Sequence, residues 1–331
     1  MIPELIVEGL FSGEALSILV VAFLVGIVVG LTGMGGGALM TPALIFLGIN
    51  PTTAVANDLV AAGVNKSVGA AVHWREGSPN LRLVGWLVAG SVPTSFAGAF
   101  IVDAVGATGE QENFVRLAIG CALMFTATTY TVRTYLELRE RTSGRPPRSR
   151  DVVVRPLPTF AVGATGGLLV GITSVGSGSL IMVSLLLLYP ALQAVKLVGT
   201  DLVQAVPLVL SAAIGHVLVS GVDWAILLPL IVGGTPGTYL GSRVAHWVSQ
   251  AVVKRGIVIV LSLTGLTLLG VPPEYVGVIG AGLLILGPLA WAGVRQLHGL
   301  PPFETLGTAS TGGNDTTARG RDEGGGSRAD R

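Results

Sequence analysis

Three ionisable side chains stand inside otherwise apolar stretches of this chain: Asp58 and Lys66 in one, Asp201 in another. Placing such a group in hydrocarbon costs about 2.5–3.5 kcal/mol on insertion scales, so each needs a partner, a cavity or a proton. Asp58 and Lys66 would lie about 12 Å apart along a shared helix, too far for a direct bond. Two chemistries fit. Lys66 neutralises an anionic substrate while Asp58 or Asp201 takes up and releases a coupling proton, or Lys66 pairs with Asp201 as a structural ion pair. His73 and His216 each follow their aspartate by about 22 Å of helix and about 60° of rotation. They mark the far end of the same face, as further ion-coupling groups or as interface histidines.

A second set of residues offers hydrogen-bond donors rather than charge. The run Gly30-Leu31-Thr32-Gly33-Met34-Gly35-Gly36-Gly37 precedes a stretch that ends near Gly48-Ile49-Asn50-Pro51, long enough to reach only about half of a bilayer. The run Thr173-Ser174-Val175-Gly176-Ser177-Gly178-Ser179 has the same place in the second half of the chain and adds hydroxyls. Glycine lets the backbone approach a ligand closely, and free amides at the start of the next helix suit an anion. The candidate substrate-binding residues are therefore Thr32, Gly33, Gly35, Gly36, Gly37, Ser174, Gly176, Ser177, Gly178 and Ser179, with Lys66, Asn57 and Thr200 beside them. Asn65 and Gln204 could add polar contacts. The competing reading is that glycines permit tight helix packing, as Gly26 and Gly30 could at their four-residue spacing.

The elements that must position these residues are membrane helices. Half of the residues are hydrophobic and 12% are charged, too few polar groups to cover a soluble globule of this length. Apolar runs of about 20 residues, enough to cross a bilayer, recur from about Ala15 to Val294. They predict helices near 14–31, 36–48, 52–73, 82–102 and 113–135, then 158–173, 178–189, 194–218, 224–243, 252–269 and 275–294. Whether the hairpins at 14–48 and 158–189 cross fully or re-enter is left open. The predicted organisation is a first transmembrane repeat over 1–135, a basic cytoplasmic linker over 136–157, a second repeat over 158–270, an extra transmembrane helix over 271–297 and a disordered tail over 298–331. The N-terminus carries Glu4, Glu8 and Glu14 without Lys or Arg, so no cleavable signal is expected.

Basic residues in predicted loops fall on one side: Arg75, Arg82, the arginines of the linker, Lys196, Arg243, Lys254, Arg255 and Arg295. The opposite loops hold Asp103, Glu110, Glu112, Asp223 and Glu274. The positive-inside rule then places the N-terminus outside and the C-terminus inside an inner, or cell, membrane. Arg116 and Arg133 read as snorkelling side chains, and Trp74, Trp86, Trp224, Trp247 and Trp291 as interface anchors.

Sliding the chain on itself by the spacing between Asp58 and Asp201 also pairs Gly33 with Gly176, Gly35 with Gly178, His73 with His216, Gly90 with Gly233, Pro93 with Pro236 and Gly98 with Gly241. One fixed offset through both embedded aspartates indicates a duplication. An odd number of crossings separates equivalent points, which predicts an all-α polytopic fold of two inverted-topology repeats, each with a broken or half-length helix hairpin. Such repeats bring their broken helices together near the midplane of many secondary transporters.

The stretch Gly30 to Pro42, Asp58-Leu59 with Lys66-Ser67-Val68-Gly69, Val198-Gly199-Thr200-Asp201-Leu202 and Gly221-Val222-Asp223-Trp224 together resemble the sulfite exporter (TauE/SafE) family, over about Leu19 to Leu269. The resemblance implies a secondary carrier of sulfite, sulfoacetate or a related small organic anion, often exported during sulfonate breakdown. Asn57 stands where similar sequences often have Thr, as Thr200 does. Relatives that import thiosulfate are described as using membrane cysteines, whereas Cys121 is the only cysteine here, which disfavours a thiol relay.

The expected partners are a small anion and the lipid bilayer, with self-association left open. Near-neutral net charge gives no general attraction to nucleic acid. No cofactor, metal or catalytic residue is expected, because no Ser/His, paired-Asp or metal-ligand spacing surrounds the histidines. An anion channel of the same architecture is the closer rival to a carrier, since half-helix dipoles can serve a pore. A non-transporting assembly or sensor protein is the more distant one.

Overall fold

The computed structural model describes residues 13–32, 36–75, 79–142, 152–176, 178, 180–245, 247–248 and 250–297. Among them there are helices and no strand. In chain order these are α1 (Gly13–Thr32), α2 (Gly37–Phe46), α3 (Pro51–Arg75), α4 (Leu81–Asp103), α5 (Thr108–Thr142), α6 (Pro156–Thr173), α7 (Leu180–Leu188), α8 (Ala194–Ser220), α9 (Trp224–Val244), α10 (Gln250–Leu268) and α11 (Pro273–Leu297). Seven of the described helices are long and apolar enough to cross a membrane, namely α1, α4, α5, α6, α8, α9 and α11. The chain is a multi-pass membrane protein. α3 falls outside that set because Asn57, Asp58, Asn65 and Lys66 lower its hydropathy. Those same side chains make it interesting.

Helix starts follow local sequence. Asn80 caps α4 by accepting from the amides of Arg82 and Leu83, and Asp223, its equivalent at the duplication spacing, caps α9 by accepting from Ala225. Such caps satisfy first-turn amides that have no helical partner. Pro156 begins α6, where its missing N–H costs nothing. Both ends of α5 differ from expectation: it begins at Thr108, ahead of the predicted 113, and continues past Leu136 to Thr142, into the predicted linker. Leu136-Glu137-Leu138-Arg139-Glu140-Arg141 are all strong helix formers by type, so polarity there ends the apolar run without ending the helix. The rest of the linker and the tail, 143–151 and 298–331, lie outside the described residues.

The helices pack as exchanged pairs. α1 lies against α9, and α6 against α4. Both contacts are backbone-close: a Cβ on Gly30 would come within 2.2 Å of the Thr238 carbonyl, and one on Gly237 within 2.2 Å of the Phe23 carbonyl. On the other pair, a Cβ on Gly163 would meet the Leu87 carbonyl at 2.3 Å and one on Gly171 the Ser95 carbonyl at 2.3 Å. Small residues at four-residue spacing allow this approach, so Gly26 and Gly30 serve packing. α3 packs on α8 and α5 on α10. A continuous apolar core joins them through Leu44, Leu59, Leu87, Leu123, Ile181 and Leu208. The chain divides into two compact units, Met1–Gly287 and Pro288–Arg331; the described part of the second is the helical segment Pro288–Leu297.

Candidate functional site

α1 ends at Thr32 and α2 begins at Gly37; α6 ends at Thr173 and α7 begins at Leu180. The first break thus leads into a helix of 10 residues and the second into one of 9, each about half of a bilayer in length. At the second break Ser174 turns the chain with φ 60°. It is the single non-glycine residue with positive φ among the described residues, a conformation that costs of order 1–3 kcal/mol and persists where surrounding contacts hold it.

Those contacts come from the other half of the chain. The Ser174 hydroxyl donates to Oδ2 of Asp58 at 2.8 Å, and the Thr41 hydroxyl of α2 donates to the same oxygen at 2.5 Å. Gly37, the first residue of α2, abuts the Ser174 backbone so closely that a Cβ there would lie 1.9 Å from the Ser174 carbonyl oxygen. Only glycine fits, and the reason is contact between the two breaks rather than chain flexibility. Thr41, Asp58 and Ser174 are all buried, so the carboxylate and both hydroxyls satisfy one another away from solvent.

Lys66, half-buried, lies within electrostatic reach of both aspartates. Asp201 is buried on α8 and accepts from Gln204 Nε2 at 3.3 Å. Arg133 of α5, read from sequence as a snorkelling side chain, also lies within electrostatic reach of Asp201 and stands 6.0 Å from the Tyr130 ring centroid. Lys66 therefore has both carboxylates within electrostatic reach, the arrangement that the ion-pair reading expects.

The remaining candidates divide. Asn57 is buried beside Asp58; its Nδ2 donates to the Thr53 carbonyl at 2.9 Å while its Oδ1 has no hydrogen-bond partner. The Thr200 hydroxyl is occupied outside the break region, accepting from the Asn80 amide at 2.9 Å. The Thr32 hydroxyl donates to the Val28 carbonyl of its own helix at 2.8 Å. Gly36 precedes α2, and Gly176 has φ 104°, where glycine is required. Gly178 lies in the turn before α7. His216 is buried with Nε2 2.6 Å from the Gly171 carbonyl; a carbonyl can only accept, so Nε2 carries the proton. That places His216 at the α6–α8 contact, one turn before Ser174. Gly33, Gly35, Ser177 and Ser179 lie outside the described residues, as does the side chain of His73. Sequence reasoning did not select Thr41. Its signal was a lone hydroxyl in an apolar half-helix, within reach of an embedded carboxylate only once the chain is folded.

Residues 18–268 match the family described as Sulfite exporter TauE/SafE. The chain belongs to the sulfite exporter TauE/SafE family. Among curated relatives, "Probable membrane transporter protein YjnA" of Bacillus subtilis (strain 168) is 34% identical over 259 residues, covering 77% of this chain and 100% of that protein. "Probable membrane transporter protein YdhB" of the same organism is 27% identical over 258 residues, 76% of this chain and 99% of that protein. A "Probable membrane transporter protein" of Xylella fastidiosa (strain 9a5c) is 27% identical over 231 residues, 67% and 81% respectively. No solved structure matches. This TauE/SafE protein is accordingly a membrane transporter and not an enzyme, and its matched region contains both helix breaks, Asp58, Lys66 and Asp201.

Proposed function

We propose that this protein is a secondary carrier of a small anion, sulfite or a related sulfonate, built from two inverted repeats and exporting its substrate from the cell. The observation that carries this reading is the meeting at the Asp58 carboxylate of the half-helix α2, through Thr41, and the second break, through Ser174. The start of α2, seated against the Ser174 bend, supplies amide donors to an anion, and Lys66 supplies the charge. The substrate-contacting set is the glycine and serine residues of the two breaks with Lys66 and Asn57, while Asp58 and Asp201 carry a coupling proton, with His73 and His216 as further members of that chain. The basic residues near helix ends, Arg75 of α3, Arg82 of α4, Arg243 of α9 and Lys254 of α10, support a cytoplasmic C-terminal side of α3.

The test is uptake of labelled sulfite by proteoliposomes containing purified protein. Saturable, pH-dependent flux is expected. Lys66→Ala should weaken sulfite affinity by roughly tenfold or more, since a bond to a charged group is lost. Asp201→Asn should remove the pH dependence. No sulfite uptake, or large ohmic currents in its place, would contradict the carrier.

A further inference from the structure

The clasp on Asp58 has an unfilled counterpart. At the spacing that takes Asp58 to Asp201, Thr41 maps onto Ser184 of α7, so the second repeat holds a hydroxyl in the equivalent place. Ser184 is half-buried, and no hydrogen bond joins it to Asp201 among the described residues. The packing around the two clasps differs in the same sense. α2 lies against α3 more extensively than α7 lies against α8, and α4 against α8 more than α9 against α3. Equivalent segments thus adopt two arrangements within one chain, the first hydrogen-bonded to its aspartate and the second without that bond.

Lys66 supplies what the second arrangement lacks. Its equivalent at the duplication spacing is Val209, so one lysine serves two carboxylates. It lies within electrostatic reach of Asp201, the carboxylate without a hydroxyl donor from the half-helix, as well as of Asp58, which has two donors. A buried carboxylate that loses a donor needs another compensating group, and a long lysine side chain midway can change partner at little cost.

We propose that Thr41 and Ser184 are paired positioning residues of the transport cycle: Thr41 holds Asp58 in the state seen here, and Ser184 takes Asp201 in the opposite state as Thr41 lets go. Lys66 then compensates Asp58, which has lost its α2 donor. Each state exchanges the contacts of one repeat for those of the other, which keeps the two close in free energy, as a two-state element requires. Ser174 maps onto Leu31, so the second clasp has one hydroxyl fewer and the described state is the favoured one. This inference rests on the carrier reading above.

Hydrogen exchange of the full chain in nanodiscs, read by mass spectrometry on peptides covering α2 and α7, tests it. Thr41→Ala should speed exchange in α2 and slow it in α7, each by about tenfold, the population shift set by one bond to a carboxylate. Adding Ser184→Ala should return α7 to its original rate, and Thr41→Ser should behave as the parent protein. Ser184→Ala alone should cut net sulfite flux by about tenfold with equilibrium sulfite binding unchanged. A merely structural hydroxyl would loosen its own helix without protecting the other, and that outcome would overturn the proposal, as would wild-type flux in Ser184→Ala. If the parent protein moves no sulfite, the carrier reading fails, while the opposite responses of α2 and α7 still decide whether the clasps alternate.

Discussion

At the residue scale, one carboxylate oxygen organises the site. Oδ2 of Asp58 receives hydroxyls from α2 and from the bend after α6, and the positive φ of Ser174 is held by that contact and by the seating of Gly37 against its carbonyl. Gly37→Ala would place a methyl group 1.9 Å from that oxygen, so the breaks must move apart. Misplacement on this scale in a binding constellation costs on the order of tenfold or more in rate; sulfite flux should fall by at least that much while helical content by circular dichroism is retained. The embedded Asp58, Lys66 and Asp201 were legible in the sequence because charge in an apolar run is conspicuous. Thr41 was not, since a threonine on an apolar helix looks the same whether it bonds its own backbone, as Thr32 does, or a distant carboxylate.

At the element scale, helix identity was legible almost throughout, because apolar length, Pro156, Asn80 and Asp223 each mark an end by a local rule. The end of α5 was not, since its last turns are polar yet helix-forming. Pairing was only partly legible. The spacing between the two embedded aspartates suggested equivalent helices but could not say that α1 would seek α9, which depends on carbonyl ridges meeting glycine faces. Gly237 and Gly256 separate the two roles glycine plays here. Gly237→Val, against the Phe23 carbonyl, should destabilise by about 3 kcal/mol or more, an overpacked backbone contact. Gly256→Ala, with nothing within 4 Å of its added carbon, should stabilise by about 0.5–1 kcal/mol. Unfolding of the purified protein in detergent measures both.

At the scale of the whole molecule, each half completes the other. α1 packs on α9, α6 on α4, α3 on α8 and α5 on α10, so neither half can bury its glycine faces alone. Residues 1–142 and 152–331 expressed separately should each be degraded or aggregate, whereas co-expression from two genes should restore a folded complex that copurifies. The same exchange explains why Asp58 is closed by a serine more than a hundred residues away, a contact no local pattern announces.

The most direct measurement is a disulfide between the two breaks. With Cys121→Ser removing the native thiol, Thr41→Cys and Ser174→Cys replace two hydroxyls that share one oxygen at 2.5 Å and 2.8 Å. Oxidation should join them and stop sulfite flux, and reduction should restore it. Failure of the pair to cross-link, or undiminished flux through the cross-linked protein, would contradict a site built where the broken helices meet.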